Sequence, residues 1–218
     1  MIRCENLSKS FSVLGRRKTV IAPVSFTLPT GRSIALLGRN GAGKSTLLRL
    51  IAGTLRPSTG RVVSDGSVSW PVGLSGAFHP ELTGAQNVRF LARSYGVDTD
   101  NLIEFVRDFS ELGEHFQMPV RSYSSGMRAR LVFGAAMGIR FDTYLIDEVT
   151  AVGDAAFKRK SRAVFLEQIK DSSAIMVNHN MRELRRFCTA GLVLEDHELR
   201  YFDDIEDAIA DHEARLAS

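Results

Sequence analysis

The chain has 218 residues, 44% hydrophobic and 24% charged, a balance that suits one globular domain with a real core and excludes a disordered or collagen-like chain. A formal net charge of +3 is too mild for a nucleic-acid signature, and the short basic clusters Arg16-Arg17-Lys18 and Lys158-Arg159-Lys160 fit solvated faces or a docking contact with a partner or an anionic membrane. The longest apolar stretch, Leu131 to Ile139, falls far short of the ~20 residues that cross a bilayer, and Met1 to Asn6 shows no signal-peptide pattern, so the chain is expected in the cytoplasm with any membrane contact indirect.

Ser33 to Leu37 is a continuous apolar run ending at Gly38, as in a strand buried on both faces. Helical periodicity follows from Ser45 to Ile51, with Gly53 placed to stop it. Arg61 to Ser64 and Val68 to Trp70 read as short strands, and Asp65-Gly66 between them is a hairpin signal. From Gly84 to about Ile139 the period is helical, with segments near Gln86–Tyr95, near Asn101–Phe109 and after Ser124, as in a small helical subdomain set between strands. Tyr144–Ile146 is again a buried strand, followed by a helix around Phe157–Lys170, a strand at Ala174–Val177 and a short helix near Met181–Phe187. The end reads as a hairpin, Leu192–Leu194 with Leu199–Phe202, and a helix from Asp204. This alternation predicts an α/β fold with a mainly parallel sheet.

Two motifs carry chemistry. Gly38-Arg39-Asn40-Gly41-Ala42-Gly43-Lys44-Ser45 matches GxxxxGK[ST] and sits between a predicted strand and a predicted helix, the context this phosphate loop requires. Glycines let successive N–H groups surround phosphate oxygens, and the helix brings its positive end to the same anion. Lys44 supplies a point charge for the β- and γ-phosphates, and the Ser45 hydroxyl is placed for Mg²⁺. Asp147-Glu148 follows the Tyr144–Ile146 strand, so Asp147 reaches the carboxyl edge of the sheet, where α/β ligand sites lie. Asp147 suits the metal, and Glu148, one residue on, suits polarisation of the attacking water. Alone, such a pair reads equally as a helix cap or a surface turn; the phosphate loop upstream favours catalysis. The five histidines form no HxxxH or HExxH pair, which argues against zinc. Cys4 and Cys188 form no CxxC and read as buried reduced thiols rather than a disulfide framework.

Three further segments, in this order along the chain, resemble ATP-binding cassette (ABC) proteins. Tyr123-Ser124-Ser125-Gly126-Met127-Arg128 before a helix resembles the LSGGQ signature. Asp147-Glu148-Val149-Thr150-Ala151-Val152-Gly153-Asp154 resembles the Walker B to D-loop segment, with Asp154 as the D-loop carboxylate. His179, after the Ala174–Val177 strand, resembles the switch histidine that reads the γ-phosphate. Alone, Ser124-Ser125 would pass for an N-cap and His179 for a structural residue. Ser125 and Met127 depart from the signature's first Gly and its Gln. The resemblance implies a P-loop NTPase fold over residues 1–218 with an N-terminal antiparallel β region and an inserted subdomain at about 72–140. It also implies ATP, Mg²⁺ and catalysis by Glu148, His179 and Lys44. Nucleotide contacts would extend over Gly38 to Thr46, Asp147, Asp154 and Ser124–Gly126. Phe11, in Leu7-Ser8-Lys9-Ser10-Phe11, matches the aromatic that stacks adenine, core packing being the alternative. Spacing puts Leu74 at the usual Q-loop glutamine, and Gln86 lies within the next helix.

Ser69-Trp70-Pro71-Val72-Gly73-Leu74-Ser75-Gly76-Ala77-Phe78, followed by Leu82-Thr83-Gly84 and Asn87-Val88-Arg89-Phe90, is similar to the ATPases of capsular polysaccharide exporters. That similarity implies a peripheral subunit on the cytoplasmic face of the inner membrane. Its partners would be a second copy, facing it head to tail across ATP, and integral-membrane permease subunits; nucleic acid would not be one. Trp70, Leu74 and Phe78 would either receive a permease helix or pack in the core. The chain closes soon after its final helix, leaving no expected carbohydrate-binding domain. Alternatives are the ATPase of an exporter of O-antigen, teichoic acid, lipid or drug, and a soluble non-transport ABC ATPase. The latter is disfavoured by the absence of a sustained heptad between Lys44 and Ser124.

Overall fold

The computed structural model describes residues 1–13, 15–72, 78–147 and 154–216. The chain forms two compact units, one of Met1–Pro71, Phe141–Glu148 and Asp171–Ser218, the other of Val72–Arg140 and Val149–Lys170.

In the first unit, β1 (Ile2–Val13) runs antiparallel between β2 (Arg16–Leu28) and β4 (Thr59–Ser64). Ile2 and Cys4 turn inward while Arg3 faces solvent, the period-two pattern of a half-covered sheet. The second sheet has the order β5-β6-β3-β7-β8. Here β3 (Ser33–Leu37), β5 (Thr143–Asp147), β6 (Ser173–Val177) and β7 (Ala190–Glu195) are parallel, and β8 (Glu198–Phe202) returns antiparallel to β7. Asp196 and His197 make that return with φ of 48° and 69°, the left-handed pair a two-residue hairpin needs. The core joins Ile34, Leu36, Leu145, Ile175 and Leu192 of this sheet to Leu47, Leu48, Leu50 and Ile51 of α1 (Lys44–Ile51). Two further helices, α6 (Met181–Phe187) and α7 (Ile205–Leu216), complete the described part of this unit.

The second unit is helical: α2 (Gly84–Tyr95), α3 (Thr99–Ser110), α4 (Ser125–Met137) and α5 (Ala155–Gln168). Thr83 and Gln86 cap α2 reciprocally, which stabilises the helix start and uses the Gln86 side chain. From Leu131 to Met137 every residue of α4 is buried, as expected of a helix apolar on all sides. Small residues let its neighbour approach: a Cβ on Gly138 would stand 2.5 Å from Leu102 Cδ1.

The α/β class with an antiparallel N-terminal sheet agrees with the sequence, but the expected hairpin at Asp65-Gly66 does not form. Arg61–Ser64 belongs to β4 and pairs with β1, whereas Val68 makes a parallel bridge to Thr143. Asp142 decides this: its carboxylate accepts from both the N–H and the Oγ of Ser67 at 2.7 Å. Those bonds, the hydroxyl first, hold the Asp142 carboxyl below its ordinary pKa. The chain after Gly66 is therefore drawn to the edge of the parallel sheet. Trp70 then sits in the core of its unit, 5% exposed and edge-on to Phe141 at 5.6 Å. Phe78 is buried in the other unit. Neither offers a free apolar face, so core packing is their role; Leu74 lies outside the described residues.

Candidate active site

β3 ends at Leu37, paired with Val193 of β7, and the glycine-rich loop begins there. Gly38 has φ 149°, and a Cβ on it would come within 2.2 Å of the Leu194 carbonyl oxygen. Gly43, at φ 113°, caps α1, and a Cβ on it would meet Val20 Cγ1 at 2.5 Å. The loop thus presses its backbone against β7 on one side and β2 on the other, which only glycine permits. Lys44 Nζ donates to the carbonyls of Gly38 (2.7 Å) and Arg39 (3.0 Å), so the ammonium spans the loop that would hold an anion. Ala42 N–H donates to the same Arg39 carbonyl at 3.1 Å.

Asp147 is the last residue of β5, in register with Val177 of β6. Its Oδ2 accepts from Ser45 Oγ at 2.8 Å. Asn40, Lys44, Ser45, Thr46 and Asp147 share a cleft of about 300 Å³ with Val20 of β2. Among the described residues no group of three or more His, Cys, Asp or Glu side chains gathers to hold a metal. One hydroxyl and one carboxylate nevertheless suit Mg²⁺, which commonly takes one or two carboxylates and completes its shell with waters and substrate phosphates. His179 stands exposed two residues past Val177, on the edge of the sheet that carries Asp147. Glu148 follows Asp147 directly and lies outside the described residues.

Phe11 is 38% exposed on β1, with the Lys9 ammonium 4.9 Å from its ring centre. Core packing is therefore not its role, and it is not among the described residues that line the cleft. Val20, which does line it, carries no motif. It sits between Thr19 and Ile21, where the β1–β2 register shifts, with its Cγ1 beside Gly43, and no local sequence signal points to it.

In the second unit, Ser124 caps α4, its Oγ accepting from Met127 N–H at 3.2 Å. Ser124, Ser125 and Gly126 are all exposed, while Tyr123 is buried and donates to the His115 carbonyl at 2.6 Å. A Cβ on Gly126 would meet nothing nearer than Ser124 Oγ at 4.0 Å, so packing within the chain does not demand this glycine. Asp154 caps α5 through Ala156 and Phe157 N–H, and its other oxygen pairs with Arg130 at 3.0 Å. The Phe157 N–H, then that of Ala156 and the Arg130 guanidinium, hold its carboxyl below the usual carboxylate range. Both oxygens of Asp154 thus serve local structure, a role its motif position does not reveal. Arg130 also lies 4.4 Å over the Phe157 ring, joining α4 to α5.

The ABC transporter family model matches residues 21–151. The chain belongs to the ABC transporter family. Among curated ABC proteins it is 46% identical over 215 residues to the polysialic acid transport ATP-binding protein KpsT of Escherichia coli, covering 97% of this chain and 96% of that one. It is 45% identical over 208 residues to the capsule polysaccharide export ATP-binding protein CtrD of Neisseria meningitidis serogroup B, covering 95% and 96%. The O-antigen export ATP-binding protein RfbB of Klebsiella pneumoniae is 40% identical, covering 96% of this chain and 87% of its own. Among solved ABC structures, an ATP binding subunit of an ABC transporter superposes with a TM-score of 0.81 at 19% identity, covering the whole of both chains. A dimeric ATP-binding cassette in a post-hydrolysis state bound to ADP and Pi superposes with a TM-score of 0.77 at 20% identity, covering 94% of this chain and 99% of that one. At those identities the structures establish the shared ABC fold.

Proposed function

We propose that this chain is the ATP-hydrolysing subunit of an ABC transporter that drives export of a capsular polysaccharide. It would work as a peripheral subunit at the cytoplasmic face of the inner membrane. Among the described residues no helix is long and apolar enough to cross a bilayer, so permease subunits would carry the cargo. The meeting of Ser45 and Asp147 beside Lys44 in one cleft carries the nucleotide chemistry. The cargo rests on relatives at 45–46% identity named for polysialic acid transport and capsule polysaccharide export.

In this mechanism the loop N–H groups and the α1 N-terminus bind the β- and γ-phosphates of ATP, and Lys44 adds its positive charge. Ser45 and Asp147 would hold Mg²⁺, which would supply Lewis-acid chemistry at the phosphates. Glu148 accepts a hydrogen bond from the attacking water and takes its proton as the new oxygen–phosphorus bond forms and the bond to the ADP leaving group breaks, and His179 contacts the γ-phosphate. Phe11 stacks the adenine. A second copy approaches head to tail and presents Ser124–Gly126 at the start of its α4, where exposed N–H groups meet the same γ-phosphate. ATP thus favours the closed pair, and loss of the γ-phosphate releases it.

The test is complementation of a capsule-export strain lacking its own ATP-binding subunit. The wild-type chain is expected to restore surface polysaccharide and Lys44→Ala to restore none. A wild-type chain that hydrolyses MgATP without restoring capsule would assign it a different cargo.

A further inference from the structure

A buried carboxylate behind the phosphate loop has no part in this mechanism. Glu195 ends β7 immediately after Leu194, the residue whose carbonyl abuts Gly38. It is 6% exposed, with Oε1 3.6 Å from Arg39 Nε and Oε2 3.7 Å from Nδ1 of His212. His212, on α7, is equally buried, and neither its Nδ1 nor Glu195 Oε2 has a hydrogen-bond partner among the described residues. Arg39 Nη2 also reaches the Leu216 carbonyl at 3.5 Å, at the C-terminal and therefore negative end of α7.

Docking of α7 does not explain this cluster. Ile205, Ala208 and Ile209 already bury the helix, and a Cβ on Gly191 of β7 would stand 2.3 Å from Ala208 Cβ. A buried ion pair is weak evidence for stability, because desolvation offsets the attraction. What the cluster does is hold Arg39. The Arg39 carbonyl accepts from both Lys44 Nζ and Ala42 N–H, so fixing this residue fixes the seat of the phosphate-binding lysine. A half-exposed arginine facing a surface carboxylate would gain little. Facing a carboxylate withdrawn from water, it becomes the charge that makes the burial tolerable.

We propose that Glu195 and His212 are positioning residues for nucleotide binding, acting through Arg39 on Lys44 and the phosphate loop. The proposal rests on the phosphate-loop reading above and assigns the C-terminal helix a part in it.

A double-mutant cycle on the full chain tests it, reading the Kd for MgATP by calorimetry and kcat at saturating MgATP. Glu195→Gln and Arg39→Gln are each expected to raise Kd about tenfold, and the double variant no further than the worse single one. In Glu195→Gln, which lies outside the loop, kcat should stay within about twofold. Arg39 is exposed, so Arg39→Gln probes the link even if Glu195→Gln folds poorly. An Arg39→Gln or folded Glu195→Gln chain that binds MgATP with wild-type affinity would overturn the proposal, as would single losses that multiply in the double variant. Lys44→Ala separates the two claims: wild-type affinity in that variant would refute the phosphate-loop reading itself.

Discussion

Ser45 and Asp147, which stand 102 positions apart in the chain, meet as a hydroxyl donating to a carboxylate over 2.8 Å. One lies in the first turn of α1 and the other closes β5, and the parallel sheet brings both to the same edge. Asp147→Asn keeps the shape and removes the charge. Mg²⁺-dependent ATP hydrolysis should fall by about 100-fold or more, while nucleotide binding in the presence of EDTA stays near wild type. Phosphate release and nucleotide titration check the two halves of this prediction.

Gly43 and Gly126 should separate fold from function. Gly43→Ala puts a Cβ at φ 113° against Val20, so it is expected to lower both Tm and nucleotide affinity. Gly126 lies in α4 with open space around its Cβ position. Gly126→Ala should leave Tm unchanged or raise stability by up to about 1 kcal/mol, yet lower hydrolysis by more than about tenfold if the α4 start receives a phosphate from a second copy. Full activity in Gly126→Ala would remove that contact from the mechanism.

Burial pushes the thiols of Cys4 and Cys188 from 9.0 up to about 12. The folded state holds these protons more tightly than the unfolded chain. The associated stability is therefore complete below pH 9 and is lost as pH rises from about 9 toward about 12. Thiol titration at pH 8 should find both cysteines unreactive in the native protein and both reactive in urea.

Trp70, edge-on to Phe141 in the core of its unit, should cost about 3–5 kcal/mol of unfolding free energy when changed to alanine. Urea unfolding measures this. A loss below about 1 kcal/mol would contradict that packing.

Much of this was legible in the sequence because the signals are local. Gly38–Ser45 and Asp147 each announce themselves within a few residues, and a continuous apolar run announces each parallel strand. What escaped depends on distant partners. The Asp65-Gly66 turn signal lost to the pull of the Asp142 carboxylate on Ser67. Val20 lies beside the loop at a register shift of β1 against β2, with the next residues of β2 tied to His197 through Ala22 N–H. The cap that Asp154 gives α5 and its pairing with Arg130 depend on neighbours its motif does not name. Arg39, Glu195 and His212 form one cluster out of three segments that share no pattern.

In the proposed mechanism ATP is gripped between two copies of this chain and cleaved with Glu148 as the water-polarising base. Glu148→Gln, mixed with MgATP and followed by light scattering after size exclusion, tests it most directly. A stable species of twice the monomer mass is expected, appearing only with ATP and turning over hardly at all. A chain that stays monomeric at saturating MgATP, or hydrolyses it at the wild-type rate, would contradict it.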